Sequence, residues 1–137
     1  MVKAPLVAIV DDDDDVREAL SDLIVVLGLG CRTFDRAEAL LAEHERGAFD
    51  CIVTDVKMPG VDGFELLRRL RRSLLSVPVI VVTSDSSPKT HVRALEGGAH
   101  ACLTKPIEAH VLLGHLETAL ARSDVSPDGE GKGKADG

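Results

Sequence analysis

A chain of 137 residues, 45% of them hydrophobic, has material for one domain whose core stands without disulfides or a structural metal. Its formal net charge of −7 excludes a surface built to grip nucleic acid, because that affinity comes mainly from Lys and Arg neutralising phosphates. The opening MVKAPLVAIV carries one Lys and a short apolar run that meets five aspartates, which fits neither a signal peptide nor a membrane span; a soluble, cytoplasmic protein is expected.

Along the chain, Leu6 to Val10 is the first of five short apolar runs with β-branched residues, each of which reads as a strand. Val16, Leu20, Leu23 and Leu27 then recur at helical spacing, with Gly28 and Gly30 following to end the first helix. Cys31 to Phe34 is the second strand, and Ala37, Leu40 and Leu41 mark a second helix that Asp35 is placed to cap. Cys51 to Thr54 is the third strand, followed by a helix on Phe64, Leu67 and Leu70 with Asp62 as its candidate cap. Val79 to Thr83 is the fourth strand; His91, Val92 and Leu95 mark the fourth helix, with Gly97 and Gly98 after it. Ala101 to Thr104 is the fifth strand, and Leu112, Leu116 and Leu120 form the core stripe of a fifth helix.

The first, third and fourth runs are almost continuously apolar, as strands in the middle of a parallel sheet must be when both faces are covered. Regular strand and helix alternation implies right-handed crossovers in an open, doubly wound α/β sheet. From Ser123 onward the only apolar side chains are Val125 and Ala135. The folded domain is therefore expected over residues 1–122, with 123–137 a disordered tail or the start of a linker. Cys31, Cys51 and Cys102 show no metal-ligand or Cys-x-x-Cys spacing and read as buried free thiols. His44, His91, His100, His110 and His115 share no such spacing either and read as surface or edge residues.

Ligands of an open parallel α/β sheet bind at the carboxyl ends of its strands. Those ends carry Asp11 to Asp15, then Asp55, then Thr83 and Ser84, then Lys105. Clustered carboxylates raise one another's pKa unless a cation neutralises them, and an all-oxygen set that keeps several waters suits Mg²⁺ better than a closed calcium cage. Asp13, Asp14 and Asp15 are better read as acidic residues favouring the first helix's N-terminus. A Lys ammonium and a Thr hydroxyl beside the metal can hold the oxygens of a transferring phosphoryl group, which makes Asp55 the nucleophile and an aspartyl phosphate the product. Lys57 and Asp85 flank the mouth and read first as ordinary exposed charges, whose pairing would add little stability; the alternative is a pair that shields that phosphate.

Four motifs in order, IVDDDDDVR, CIVTDVKMPGVDGFELL, VIVVTSDS and LTKPI, resemble the receiver domains of two-component response regulators, and the resemblance spans residues 5–121. It implies a flavodoxin-like five-stranded sheet of order 2-1-3-4-5. It further implies that Asp55 is phosphorylated, Asp12 binds Mg²⁺ directly, Asp11 holds it through water, and the Lys57 backbone carbonyl is the remaining protein ligand. Thr83 would bond a phosphoryl oxygen and Lys105 would pair with the group. Met58-Pro59-Gly60 and Asp62-Gly63 match the loop after the family's phosphorylated Asp.

The implied function is a switch: a sensor histidine kinase donates the phosphoryl group, and affinity for an output domain or downstream protein changes. Such a chain catalyses only its own phosphorylation and dephosphorylation, with a homodimer as an option and with no direct contact to nucleic acid or membrane. One position departs from the family: where many receivers carry Tyr or Phe three residues before the Lys, this chain has Cys102. A thiol is too small to swing between solvent and core, so output is expected through the loop after the fourth strand and the fourth helix. Two alternatives stand beside this reading. Cys102 favours a phosphorylation-independent interaction module of the same fold, and Asp12-x-Asp14-x-Val16 superficially fits a haloacid-dehalogenase-type phosphatase with Asp12 as nucleophile.

Overall fold

The computed structural model describes residues 4–44, 49–73 and 76–124. Ten elements alternate: β1 (Leu6–Val10), α1 (Asp14–Val26), β2 (Gly30–Phe34), α2 (Ala37–His44), β3 (Cys51–Asp55), α3 (Gly63–Arg72), β4 (Val79–Thr83), α4 (Pro88–Glu96), β5 (Ala101–Thr104) and α5 (Ala109–Asp124). The strands form one parallel sheet in the order β2-β1-β3-β4-β5.

The period of two along each strand divides the core between the sheet's faces. Ala8, Val10, Ile52 and Val81 pack with Leu40 of α2, Leu66 of α3 and Ala94 of α4. On the other face, Val7, Ile9, Val53 and Ile80 pack with Ile24 of α1 and Leu116 of α5. Each fully buried Ile, Leu or Val contributes about 1.5–3 kcal/mol of transfer free energy, so the central strands carry much of the stability. The register also sets the site. Val10 lies beside both Phe34 and Thr54, Asp55 beside Val82, and Thr83 beside Thr104, so the residues that follow share one rim.

Caps fix where the helices begin. Asp13 accepts from the N–H groups of Asp15 and Val16 at the start of α1, and Asp62 accepts from Glu65 N at the start of α3. Several expectations need correction. Asp35 does not cap α2; its carboxylate takes the Arg36 side chain at 3.3 Å. Gly30 opens β2, while Gly28, at φ 81°, is the residue that turns the chain out of α1. In α4, Val92 and Leu95 are half exposed and Ala94 is the residue buried against the sheet. That short helix lies close to α3 at Gly97, where a Cβ would come 2.9 Å from Leu67 Cδ2. His44 is buried, its ring stacked on Phe49 at a centroid distance of 6.4 Å, because the last turn of α2 closes over the Phe34 and Phe49 side of the core. Of the three thiols only Cys51 is fully buried. The fifth helix runs through Asp124, and the remainder of the expected tail, residues 125–137, lies outside the described residues.

Gly63 joins fold to site. Its N–H donates to the Val56 carbonyl at 2.8 Å, and a Cβ on it would sit 2.3 Å from the Asp55 carbonyl oxygen and 2.8 Å from Val56 Cα. Backbone cannot yield as a side chain can, so Gly63→Ala is expected to cost about 3 kcal/mol, the upper end for overpacking. A fall in the urea midpoint at unchanged slope checks this; an unchanged midpoint would show that the loop relaxes freely.

Candidate functional site

The three carboxylates expected at the rim converge. Asp11, Asp12 and Asp55 each present an oxygen within 4.8 Å of the others'. Asp11, just past β1, is fully buried: its N–H bonds the Phe34 carbonyl at 3.1 Å, Oδ1 accepts from Asp13 N at 2.9 Å, and Oδ2 accepts from Lys105 Nζ at 2.9 Å. Asp12 is exposed at the mouth. Asp55, the last residue of β3, uses Oδ1 to accept from Val56 N at 2.8 Å and turns Oδ2 toward Lys105 Nζ at 3.3 Å. One ammonium thus bridges two carboxylates.

The electrostatics follow from this crowding. Burial, and next the like charge of Asp11, push the Asp55 carboxyl above its ordinary pKa, while Lys105 and the Val56 N–H offset part of the rise. Burial works against the Lys105 ammonium, but the hydrogen bond to Asp11 and the charges of Asp11 and Asp55 outweigh it, so its pKa is raised. A set of acidic oxygens held this close has the donor chemistry of a hard divalent cation site.

Thr83 ends β4 beside this group and is buried. Its Oγ1 accepts from Asp85 N at 3.0 Å, which leaves the hydroxyl hydrogen to donate elsewhere, and its carbonyl accepts from Lys105 N at 2.7 Å. Asp55, Lys57, Thr83, Ser84 and Asp85 line a cavity of about 280 Å³. The alternative of a pair between Lys57 and Asp85 is replaced by other contacts. Asp85 accepts from Thr90 Oγ1 at 2.6 Å and from Ser87 N at 2.8 Å, and these bonds, with Lys57 contributing least, hold its carboxyl down to about 2. The loop after β4 is thereby fastened to the first turn of α4.

Sequence reasoning did not find several participants. Arg17 Nη1 donates to the Asp11 carbonyl at 2.7 Å and its other arm takes Asp14, so Asp14 is paired with Arg17 and stands outside the group of Asp11, Asp12 and Asp55. That removes the second carboxylate that the phosphatase pattern required. Ser87 and Thr90 were legible in principle, because Ser before Pro is a start signal for a helix. Cys102 is half-buried beside the α4 side of the core, and burial, with Asp85 adding to it, pushes its thiol up. Two residues on, Thr104 Oγ1 meets His91 Nε2 of α4 at 3.0 Å. Among the described residues, no helix is long and apolar enough to cross a membrane.

Comparison with known proteins agrees with this geometry. The family model described as the response regulator receiver domain matches residues 7–117. The transcriptional regulatory protein FixJ of Bradyrhizobium diazoefficiens is 34% identical over 122 residues, which cover 89% of this chain and 60% of FixJ. Response regulator TodT of Pseudomonas putida is 34% identical over 118 residues, 52% of its length, so the chain spans about half to three fifths of these relatives. Among solved structures, the chemotaxis response regulator CheY4 of Vibrio cholerae aligns with a TM-score of 0.79 at 28% identity, covering 86% of this chain and all of CheY4. A BeF3-activated DrrB receiver domain aligns with a TM-score of 0.79 at 29% identity, covering 88% of this chain and all of that one. With strand order, rim chemistry and four-motif sequence all in agreement, the chain belongs to the receiver-domain family of two-component response regulators.

Proposed function

We propose that Asp55 is the phosphoryl acceptor of this receiver and that Mg²⁺ is held by Asp11, Asp12, Asp55 and the Lys57 backbone carbonyl. The observation that carries the reading is the bridging of Asp11 and Asp55 by Lys105 beside the exposed Asp12. Bound there, the cation would neutralise charge on the phosphoryl oxygens and on the crowded carboxylates. Asp55 Oδ2 attacks phosphorus, the bond from phosphorus to the donor's leaving atom breaks, and an acyl phosphate remains on the side chain. Lys105, already within reach of Oδ2, follows the new charge, and Thr83 donates its free hydroxyl hydrogen to a phosphoryl oxygen. The BeF3-activated state of the DrrB neighbour supports a phosphoryl-accepting role.

The donor is read as a sensor histidine kinase and the recipient of the signal as an output domain or downstream protein. FixJ and TodT, both longer than this chain, support that view. Residues 1–124, through the end of α5, are read as the receiver unit and 125–137 as tail or linker, acting in the cytoplasm. The chain modifies itself and turns over no separate substrate. Output is read as running from Thr83 through the Asp85, Ser87 and Thr90 contacts into α4, with Cys102 taking no aromatic part.

Acetyl phosphate tests the core of this proposal. One phosphoryl adduct per chain is expected by intact mass with Mg²⁺ and none in EDTA. No adduct under either condition would favour the phosphorylation-independent module. Thr90→Val is expected to keep the adduct yet change the α4 amide signals on phosphorylation, and identical responses in both proteins would exclude the proposed output route.

A further inference from the structure

Among the described residues, the densest run of positive charge lies at the end of α3. In a chain of net charge −7, α3 ends with Arg68, Arg69, Arg71 and Arg72. Glu65 takes Arg68 on one oxygen and Arg69, at 2.8 Å, on the other, so one carboxylate faces two guanidinium groups. The ion pairs among the described residues engage neither Arg71 nor Arg93.

Both of these arginines are held in place without a carboxylate. The stem of Arg71 crosses Gly98 so closely that a Cβ there would meet its Cδ at 2.7 Å, and its Nη1 reaches the Glu96 carbonyl at 3.5 Å. Arg93 of α4 lies over the Phe64 ring at 3.9 Å. Between them runs a groove of about 400 Å³ floored by Phe64 and the buried Leu67; the two carboxylates on its wall are already engaged, Asp62 by the N–H of Glu65 and Glu65 by Arg68 and Arg69. It shares Phe64 and Arg93 with a recess of about 560 Å³ that reaches Asp12 and Lys57.

We propose that the groove between α3 and α4 docks an acidic peptide segment of a partner protein, whose carboxylates pair with Arg71 and Arg93 while an apolar side chain rests on the partly exposed Phe64. Guanidinium forks match carboxylates in two-point contact, and groups already held in position lose little freedom on binding. Charge complementarity selects the occupant. A nucleic acid strand would run beyond the short basic groove onto a surface of opposite preference, because the chain as a whole is acidic. The proposal does not depend on phosphorylation of Asp55.

The test titrates the ¹⁵N-labelled full chain with a short peptide of Asp and Glu residues around one Leu, and with its Asn and Gln counterpart. Saturable shifts at the amides of Phe64, Arg71, Arg93 and Gly97 are expected from the acidic peptide. Binding is expected to weaken about tenfold or more in the double variant Arg71→Gln, Arg93→Gln and with the amide peptide. Both side chains are exposed, and an otherwise unchanged spectrum of the variant shows that the fold is kept. Absence of binding, shifts confined to other faces, or equal affinity in the double variant would overturn the proposal. Equally tight binding of a short single-stranded DNA in the groove would also overturn it, by assigning the arginines to phosphate.

Discussion

Asp55→Asn should leave the chain without a phosphoryl adduct after incubation with acetyl phosphate and Mg²⁺, a loss of at least about 10³-fold in uptake. Asparagine keeps the shape, including an oxygen to accept from Val56 N where Asp55 Oδ1 does at 2.8 Å, so the fold is retained. What disappears is the charged oxygen that faces Lys105 at 3.3 Å, and an amide oxygen is a poor nucleophile toward phosphorus. Intact mass separates the outcomes: an adduct that survives in the variant would move the acceptor to Asp12 or another group.

The same substitution has a stability signature whose sign follows from the pocket. Burial and Asp11 raise the folded-state pKa of Asp55 above its unfolded value. The unfolded chain therefore gives up this proton first. The group's contribution is fully present below the unfolded value of about 4, falls as pH rises through the folded pKa, and stays low above it. Without Mg²⁺, Asp55→Asn should lack that fall and unfold at a higher urea concentration than wild type at neutral pH. A lower midpoint would mean that pairing with Lys105 outweighs repulsion by Asp11.

The sheet was legible because its signal is redundant: apolar, β-branched runs at β1, β3 and β4 are buried on both faces, and no helix period competes with them. The carboxylates were legible because each lies at or just beyond a strand end, where topology brings distant residues to one rim. Position in α4 was less so. Val92 and Leu95 have the spacing of a core stripe, but the helix meets the sheet through Ala94 and approaches α3 at Gly97. His44 was hidden as well, since a lone polar ring in a helix gives no sign that the Phe49 ring will lie parallel to it in the core. Lys57 and Asp85 form no close pair because the loop turns Asp85 back onto Ser87 and Thr90, which leaves Lys57 the ordinary exposed charge that its sequence position suggests. Arg71 owes its direction to Gly98, and sequence spacing alone does not bring those two together.

Lys105→Ala should lower both stability and phosphoryl uptake, and Mg²⁺ should restore only the first. Asp11 is fully buried, and Lys105 Nζ is its charged partner at 2.9 Å. Alanine leaves Asp11 and Asp55 facing each other without that cation. Stranding a buried charge in this way costs on the order of 3 kcal/mol, even after allowance for the partly exposed lysine. The raised pKa of Lys105 means that its contribution is fully present below the unfolded value near 10.4 and is lost only as pH rises through the higher folded value, so the cost should be undiminished at neutral pH.

A divalent cation among the three carboxylates can replace the lost neutralisation, so Mg²⁺ should raise the melting temperature more in the variant than in wild type. It cannot replace an ammonium aimed at the transferring group, and uptake from acetyl phosphate should stay about 10²-fold slower at saturating Mg²⁺. Lys105→Gln separates charge from hydrogen bonding, because its amide still offers a donor toward Asp11 but carries no charge. Melting curves across Mg²⁺ concentrations together with adduct formation rates decide the matter. Full recovery of the rate by Mg²⁺ would reduce Lys105 to a counter-ion for Asp11, and unchanged stability without Mg²⁺ would show that solvent already neutralises the pair.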